Sequence, residues 1–147
     1  MRFLLDTHAF IWAAGMSSRL PRSAFELIVD DANTVVFSAI SALEIAIKVS
    51  GGKLRLPEHV SDYVTSRVDA LSMDVLPVYT SHALQVASLP AYHGDPFDRL
   101  LVAQCQLEKL ALMTADEELV EYDVEIIWIG EGRMPRRRRR RPPTSST

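Results

Sequence analysis

The sequence predicts an α/β fold: a central, mostly parallel sheet of four or five strands with helices on both faces. Three observations carry this reading. Short, near-continuously apolar runs alternate along the chain with longer stretches of helical periodicity, and a strand that is apolar on both sides suits a sheet covered on both faces. The alternation has no internal repeat and no boundary before about Gly132, so right-handed crossovers are the economical connections. Finally, 147 residues with 48% hydrophobic content are enough for one domain with a core of its own, and the single Cys105 excludes a disulfide framework.

Taken in order, Arg2–Leu5 is an apolar run ending at Asp6 and reads as a buried strand. His8–Ala14 reads as a helix stopping at Gly15, and 21–32 as a second helix with Ala24, Leu27 and Ile28 on one side. After a break at Asn33 comes a strand over 34–37, then a helix from about Ile40 to Val49, capped by Ser38 or Ser41 and closed by Gly51-Gly52. Pro57 opens an amphipathic helix through Val60, Val64, Val68 and Leu71. A strand limited by its proline follows at 74–78, then a short helix over 81–89 and a loop to Gly94. Asp95 suits an N-cap and Pro96 a first helical position, so a long helix starts there, with Phe97, Leu100, Ala103, Leu107 and Leu110 as its apolar side. Strands at 110–113 and 125–129 bracket a short helix over 117–122.

Charge is distributed unevenly. Arg133 and Arg136 to Arg141 supply seven of the sixteen Lys and Arg residues, so residues 1–132 carry nine cations against nineteen acids, a net of −10. An acidic body argues against broad, unaided nucleic-acid affinity, whereas the arginine run suits phosphate contacts. With Pro135, Pro142, Pro143 and a Thr-Ser-Ser-Thr end, residues 133–147 are expected to be a disordered tail and 1–132 the folded domain. The start turns polar too soon for a signal peptide, no apolar run approaches the roughly 20 residues of a membrane span, and the expected location is the cytoplasm. Cys105, among apolar neighbours, reads as a small core residue.

In open parallel sheets ligands bind outside the carboxyl ends of the strands. Asp6 ends the first strand, Glu44 lies in the helix entered from the second, Asp98 opens the helix leading into the fourth, and Asp116 follows the fourth. Their separations of 38, 54 and 18 residues form no local motif, so the case for their convergence is topological. Each also has a local structural reading. Asp6 and Asp116 suit helix caps, and Asp98 a first-turn acid reaching back to Asp95. Glu44 completes a capping box with Ser41 and precedes Lys48 by four residues, although its neighbours Ile40, Leu43 and Ile47 point it toward the packed side. If the four converge, close carboxylates repel by roughly 4 kcal/mol per pair at ~4 Å with an effective dielectric near 20. A divalent cation removes that repulsion, and all-oxygen donors favour Mg²⁺ or Mn²⁺ over structural zinc. Such an ion suits phosphodiester hydrolysis. His8 and His93 stand near enough in sequence for outer roles, or are ordinary polar loop residues.

The stretches Leu4-Leu-Asp-Thr-His-Ala-Phe-Ile-Trp12, Ser38-x-x-Ser-x-x-Glu-Ile-Ala-Ile-Lys48, His93-Gly-Asp-Pro-Phe-Asp-Arg-Leu-Leu101 and Leu112-Met-Thr-Ala-Asp116 resemble, in order and spacing, the PIN-domain ribonuclease toxins of bacterial VapBC toxin–antitoxin modules. The resemblance covers about residues 2 to 129. It implies a PIN-like domain, Mg²⁺- or Mn²⁺-dependent cleavage of RNA, inhibition by a cognate VapB-type antitoxin, and a homodimer. It also implies that Asp6, Glu44 and Asp98 hold the metal, that Asp116 is a fourth acid of the same site, and that Asp95 supports them. Thr7 and Ser38 fall where small hydroxyls would bond these acids. The arginine run is not part of the family pattern.

Two alternatives stand beside this reading. A phosphatase of the haloacid dehalogenase type would also place an aspartate after the first strand, but it requires a second acid where this chain has His8. A non-catalytic interaction module, with acids that only cap helices, would be indifferent to metal.

Overall fold

The structure is a computed structural model and describes residues 1–138. Five parallel strands, β1 (Arg2–Leu5), β2 (Thr34–Ser38), β3 (Asp74–Leu76), β4 (Ala111–Thr114) and β5 (Ile126–Trp128), pair in the order β3-β2-β1-β4-β5. Phe3 is paired with Val35 on one side and Ala111 on the other, so β1 is the middle strand. From β1 the chain winds outward through β2 and β3, then returns to lay β4 and β5 on the opposite side. The strand order therefore reverses between β1 and β4, and a crevice opens at their carboxyl ends.

Alternate residues of β1 enter separate cores, because successive side chains point to opposite faces. Phe3 and Leu5 pack with Phe10, Ala24, Ile28, Ile45 and Val64, joining the sheet to α1 (Thr7–Ala14), α2 (Arg22–Val29), α3 (Ala39–Ser50) and α4 (Val60–Ala70). Leu4 packs with Val36, Leu101, Val102, Cys105 and Leu112, joining it to α6 (Pro96–Glu108). The expected layering, helices on both faces of a parallel sheet, is what forms.

Boundaries and faces depart from expectation where packing overrides local pattern. The 81–89 segment divides into α5 (Thr80–Gln85) and a 3₁₀ turn (Val86–Ser88), and the segment after Asp116 is a 3₁₀ helix (Glu117–Glu121) rather than an α-helix. In α6 the buried residues are Leu101, Val102, Ala103, Gln104 and Cys105, while Leu107 is 42% exposed. The sheet, α3 and α5 all pack against this helix, and together they bury a band that periodicity alone did not single out. Cys105 is buried as expected, and burial pushes its thiol up. No helix among the described residues is long and apolar enough to cross a membrane.

A buried polar chain ties α3 to α5 and α6. The Ser38 hydroxyl, at the N-cap of α3, donates to the Gln104 carbonyl, and the Gln104 amide donates to the Pro77 carbonyl at 3.2 Å and lies 3.3 Å from His82 Nδ1. That nitrogen accepts the Tyr79 N–H at 3.1 Å, so Nε2 is left as the donor to Glu108 at 2.8 Å. Arg99 donates to the carbonyls of Val86 and Leu89, holding the chain that leads into the 90–94 loop. Beyond β5, Arg137 donates to the Val124 carbonyl, and the Arg138 N–H donates to the Glu121 carboxylate at 3.1 Å. The rest of the segment expected to be disordered, residues 139–147, lies outside the described residues.

Gln104→Leu should strand the Ser38 hydroxyl and the Pro77 carbonyl and lower stability by about 1–3 kcal/mol. Leu4→Ala, at the centre of the sheet, should lower it by about 2–5 kcal/mol. Urea denaturation midpoints check both, and an unchanged midpoint for Gln104→Leu would show the polar chain to be incidental.

Candidate functional site

Asp6, Glu44, Asp98 and Asp116 line one cleft of about 360 Å³, together with Asp95, His8, Trp12, Arg19, Lys48 and Ala115. The cleft lies at the carboxyl ends of β1 and β4, where the topology opens the sheet. Each acid arrives by a different local device. Asp6 leaves β1 as the N-cap of α1, its Oδ1 accepting the Ala9 N–H at 2.8 Å. Its other oxygen accepts the Thr114 hydroxyl from the end of β4 at 2.5 Å. Asp116 caps the following 3₁₀ helix through the Glu118 N–H and is itself anchored by its own N–H to Thr114 Oγ1. Thr114 thus joins the acids of the two central strands.

Asp95 caps α6 as expected, accepting the N–H groups of Phe97 at 2.8 Å and Asp98 at 3.3 Å. The Asp98 side chain does not reach back to it; it lies 3.2 Å from His93 Nε2. Glu44 is 6% exposed, as expected on the packed side, and sits 3.5 Å from Lys48, but of the three neighbours that pointed it there only Ile40 is buried with it. Ser38 caps α3, so there is no Ser41 capping box, and Leu43 and Ile47 are half exposed. Glu44 instead shares the inner face with Ile40, Ser41 and Ile45. The hydroxyls expected to bond the acids do other work: Thr7 donates to Ser41 at 2.9 Å and Ser38 to Gln104. Thr114 takes that part, a residue within the 112–116 stretch to which the resemblance assigns no role, 108 positions from its partner Asp6.

His93 is the second residue that sequence reasoning undervalued. Its Nδ1 accepts the Asp95 N–H at 3.0 Å, so in the neutral ring Nε2 carries the hydrogen and donates to Asp116 at 2.8 Å, with Asp98 at 3.2 Å. The ring is fixed further by its own backbone N–H, which donates to the Tyr122 hydroxyl, itself bound to the Pro90 carbonyl. Two acids are bridged by one N–H.

Burial and crowding shift the titrations. Desolvation pushes Asp98 up to about 7, helped by the charges of Asp95, Asp6 and Glu44 and opposed by His93. Asp6 is also raised, by burial above all, against the lowering effect of Thr114 and the Ala9 N–H. For His93 desolvation works downward, but the hydrogen bond and charge of Asp116, with Asp98 and Glu118, outweigh it and the net direction is up. Carboxylates held this reluctantly in their charged form suit a cation. His93, Asp98 and Asp116 place ligand atoms within 4.8 Å of one another. In this tautomer His93 presents a hydrogen rather than a lone pair, leaving carboxylate oxygens as the donors, the set that hard divalent ions prefer.

Fold and site define a doubly wound α/β protein with a carboxylate-lined cleft at its switch point. The family model for the PIN domain matches residues 3–125, a span that includes all four acids, and the chain belongs to the PIN-domain family. PIN domains are nucleases as a family, which sets the haloacid dehalogenase alternative aside. Among curated proteins no sequence is significantly similar. Solved structures are similar in fold. A chain of VapBC2 from Rickettsia felis bound to a promoter DNA fragment superposes with a TM-score of 0.64 at 15% identity, covering 86% of this chain and 98% of that one. DNA-bound VapBC from Salmonella typhimurium gives 0.62 at 18%, covering 88% and 98%. FitAcB from Neisseria gonorrhoeae gives 0.59 at 22%, again covering 88% and 98%.

Two outcomes follow from the electrostatics. A carboxyl whose folded-state pKa is raised stabilises the fold below its unfolded pKa and loses that contribution as pH rises through the folded value. For Asp98 the window runs from about 4 to about 7, worth roughly 4 kcal/mol across its full width. The upward shifts of Asp6 and His93 have the same sign. The metal-free protein should therefore melt several degrees lower at pH 8 than at pH 5.5, and Asp98→Asn should flatten that dependence. Thr114→Val, which strips Asp6 of its hydroxyl donor, should destabilise by about 1–3 kcal/mol at pH 8 and by less at pH 5, read by chemical denaturation at both pH values.

Proposed function

We propose that this PIN domain is a metal-dependent endoribonuclease, the toxin of a VapBC-type toxin–antitoxin module, active in the cytoplasm as a homodimer and restrained by a VapB-type antitoxin. The observation that carries the reading is the convergence of Asp6, Glu44, Asp98 and Asp116 in one cleft of a PIN fold. The VapBC and FitAcB structures named above, similar to this chain in fold, support the module and the partner.

In this reading Asp6, Glu44, Asp98 and Asp116 hold Mg²⁺ or Mn²⁺. When bound, such an ion neutralises phosphodiester charge and lowers the pKa of an attacking water. The protein's own contribution is to hold four acids close together and aimed at one cleft. Thr114 orients Asp6, the capped start of α6 fixes Asp98, and the His93 N–H holds Asp98 and Asp116 side by side. Asp95, its carboxylate oxygen occupied by two backbone N–H groups, is the support on which Asp98 rests. Lys48 partly offsets Glu44. The donor chemistry is that of an oxygen-preferring ion, and the crowding explains why one is needed.

Purified protein should cleave RNA with Mg²⁺ or Mn²⁺ and not with EDTA. Asp6→Asn and Asp98→Asn should each lower the rate at least about 100-fold, since losing a supporting group alone costs 10- to 100-fold. Both should fold, and at pH 8 without metal Asp98→Asn should melt no lower than wild type because a repelled charge has gone. Saturating Mn²⁺ should raise the wild-type melting temperature and leave Asp98→Asn nearly unmoved. Wild-type cleavage rates in Asp98→Asn would sink the assignment, and indifference to both RNA and metal would favour a non-catalytic module.

A further inference from the structure

The acids explain how a phosphodiester would be cut but not how the strand is held. The same cleft is lined by Trp12, Arg19 and Lys48, which the reading above leaves without a substrate role. Trp12 stands one helical turn after His8 on α1, the ring centroids 6.4 Å apart and the planes inclined at 49°. It is half-buried, backed by the core and open to the cleft. Because Asp6 is the N-cap of α1, the ring and the most central acid are held by one short helix.

Arg19 is exposed in the turn between α1 and α2, where its N–H donates to Ser17 Oγ at 3.2 Å and the Leu20 N–H bonds the Ser17 carbonyl. Its guanidinium makes no ion pair among the described residues, and it faces a cleft floored by acids. Lys48 lies at the same cleft with 31% of its side chain exposed. Residues 1–132 have only nine Lys and Arg residues, and two of them, Arg19 and the Glu44-paired Lys48, line the same cleft as the indole. A ring flanked by cations is how proteins hold unpaired nucleic acid: bases stack on the ring and phosphates meet the charges.

We infer that Trp12, Arg19 and Lys48 form a nucleotide subsite for single-stranded RNA beside the bond to be cut, with one base stacked on Trp12, braced by His8, and neighbouring phosphates on Arg19 and Lys48. The inference rests on the ribonuclease reading and adds the residues of this chain that hold the strand. Duplex RNA keeps its bases stacked on one another, so it offers no free face to the indole, and Asp6 and Glu44 lie too deep for a rigid helix to approach. Since every base has a π-face, this subsite contributes affinity with little sequence preference.

The test uses the full-length protein with Mn²⁺ and a short labelled oligoribonucleotide in which one abasic nucleoside is moved along the chain. Wild type should lose about tenfold in kcat/KM when the abasic position falls at one nucleotide beside the cleaved bond. Trp12→Ala should lose about tenfold on the intact RNA, mostly in KM, and lose nothing more at that position; Trp12→Phe should keep most of the activity and confirm that the fold is intact. Arg19→Gln should flatten the salt dependence of RNA binding by about 0.7 in slope. The same sequence annealed into a duplex should be cut at least tenfold more slowly. Equal losses for wild type and Trp12→Ala at every abasic position, or equal cutting of duplex and single strand, would overturn the inference. If wild type cleaves no RNA, the ribonuclease reading falls and this inference with it; if wild type cleaves and Trp12→Ala matches it on both RNAs, this inference alone fails.

Discussion

The constraint on which the molecule turns is the confinement of like charges. Parallel strands end side by side, and at the one place where the strand order reverses, this chain puts an acid just past the end of each of two neighbouring strands and brings two more from flanking helices. Left alone, such a group would protonate, as the raised Asp98 and Asp6 begin to do. Much of the surrounding structure answers that tendency. The N-terminus of α1 faces Asp6 and that of α6 lies under Asp98, where helix dipoles favour negative charge. Thr114 and His93 contribute the side-chain hydrogens.

Those local solutions depend on long-range geometry. Thr114 bonds Asp6 only because β1 and β4 are neighbours in register, Leu5 opposite Met113. His93 reaches Asp98 and Asp116 only because Tyr122 and Arg99 hold the loop that carries it. The buried Ser38–Gln104–His82–Glu108 chain then fixes α3 against α6, so that Glu44 and Asp98, on different helices, keep their separation. The acids are placed by the sheet and held by polar contacts between elements.

How much of this could be read from the chain follows from the range of each cause. Strand and helix order were legible because doubly buried strands are apolar runs and helices carry periodic faces. The four acids were legible because a parallel sheet has one rim for ligands, so an acid after the first or fourth run had few places to go. Asp95 was legible as a cap from the proline that follows it. What failed was set by tertiary partners. The inner face of α3 is chosen by Ser41 and Ile45 rather than Leu43 and Ile47, and that of α6 by a second packing layer. Thr114 and His93 lie inside the stretches that resemble the family, but nothing local shows what they bond; a hydroxyl at a strand end and a histidine before a cap become significant only when the neighbouring strand and loop are in place.

The strand order also has a temporal meaning. Of the two strands that border the cleft, one is made first and the other is completed only at Thr114, 108 positions along the chain from the acid its hydroxyl orients. Contacts that span so much chain form late and together, because the intervening loop must close before they contribute. During synthesis the early part of the polypeptide has β1, β2 and β3 and two of the four acids, but no second wall for the cleft. A nascent chain of this architecture therefore carries the ingredients of its site without the site, and acquires it at one stroke when the fourth strand slots beside the first.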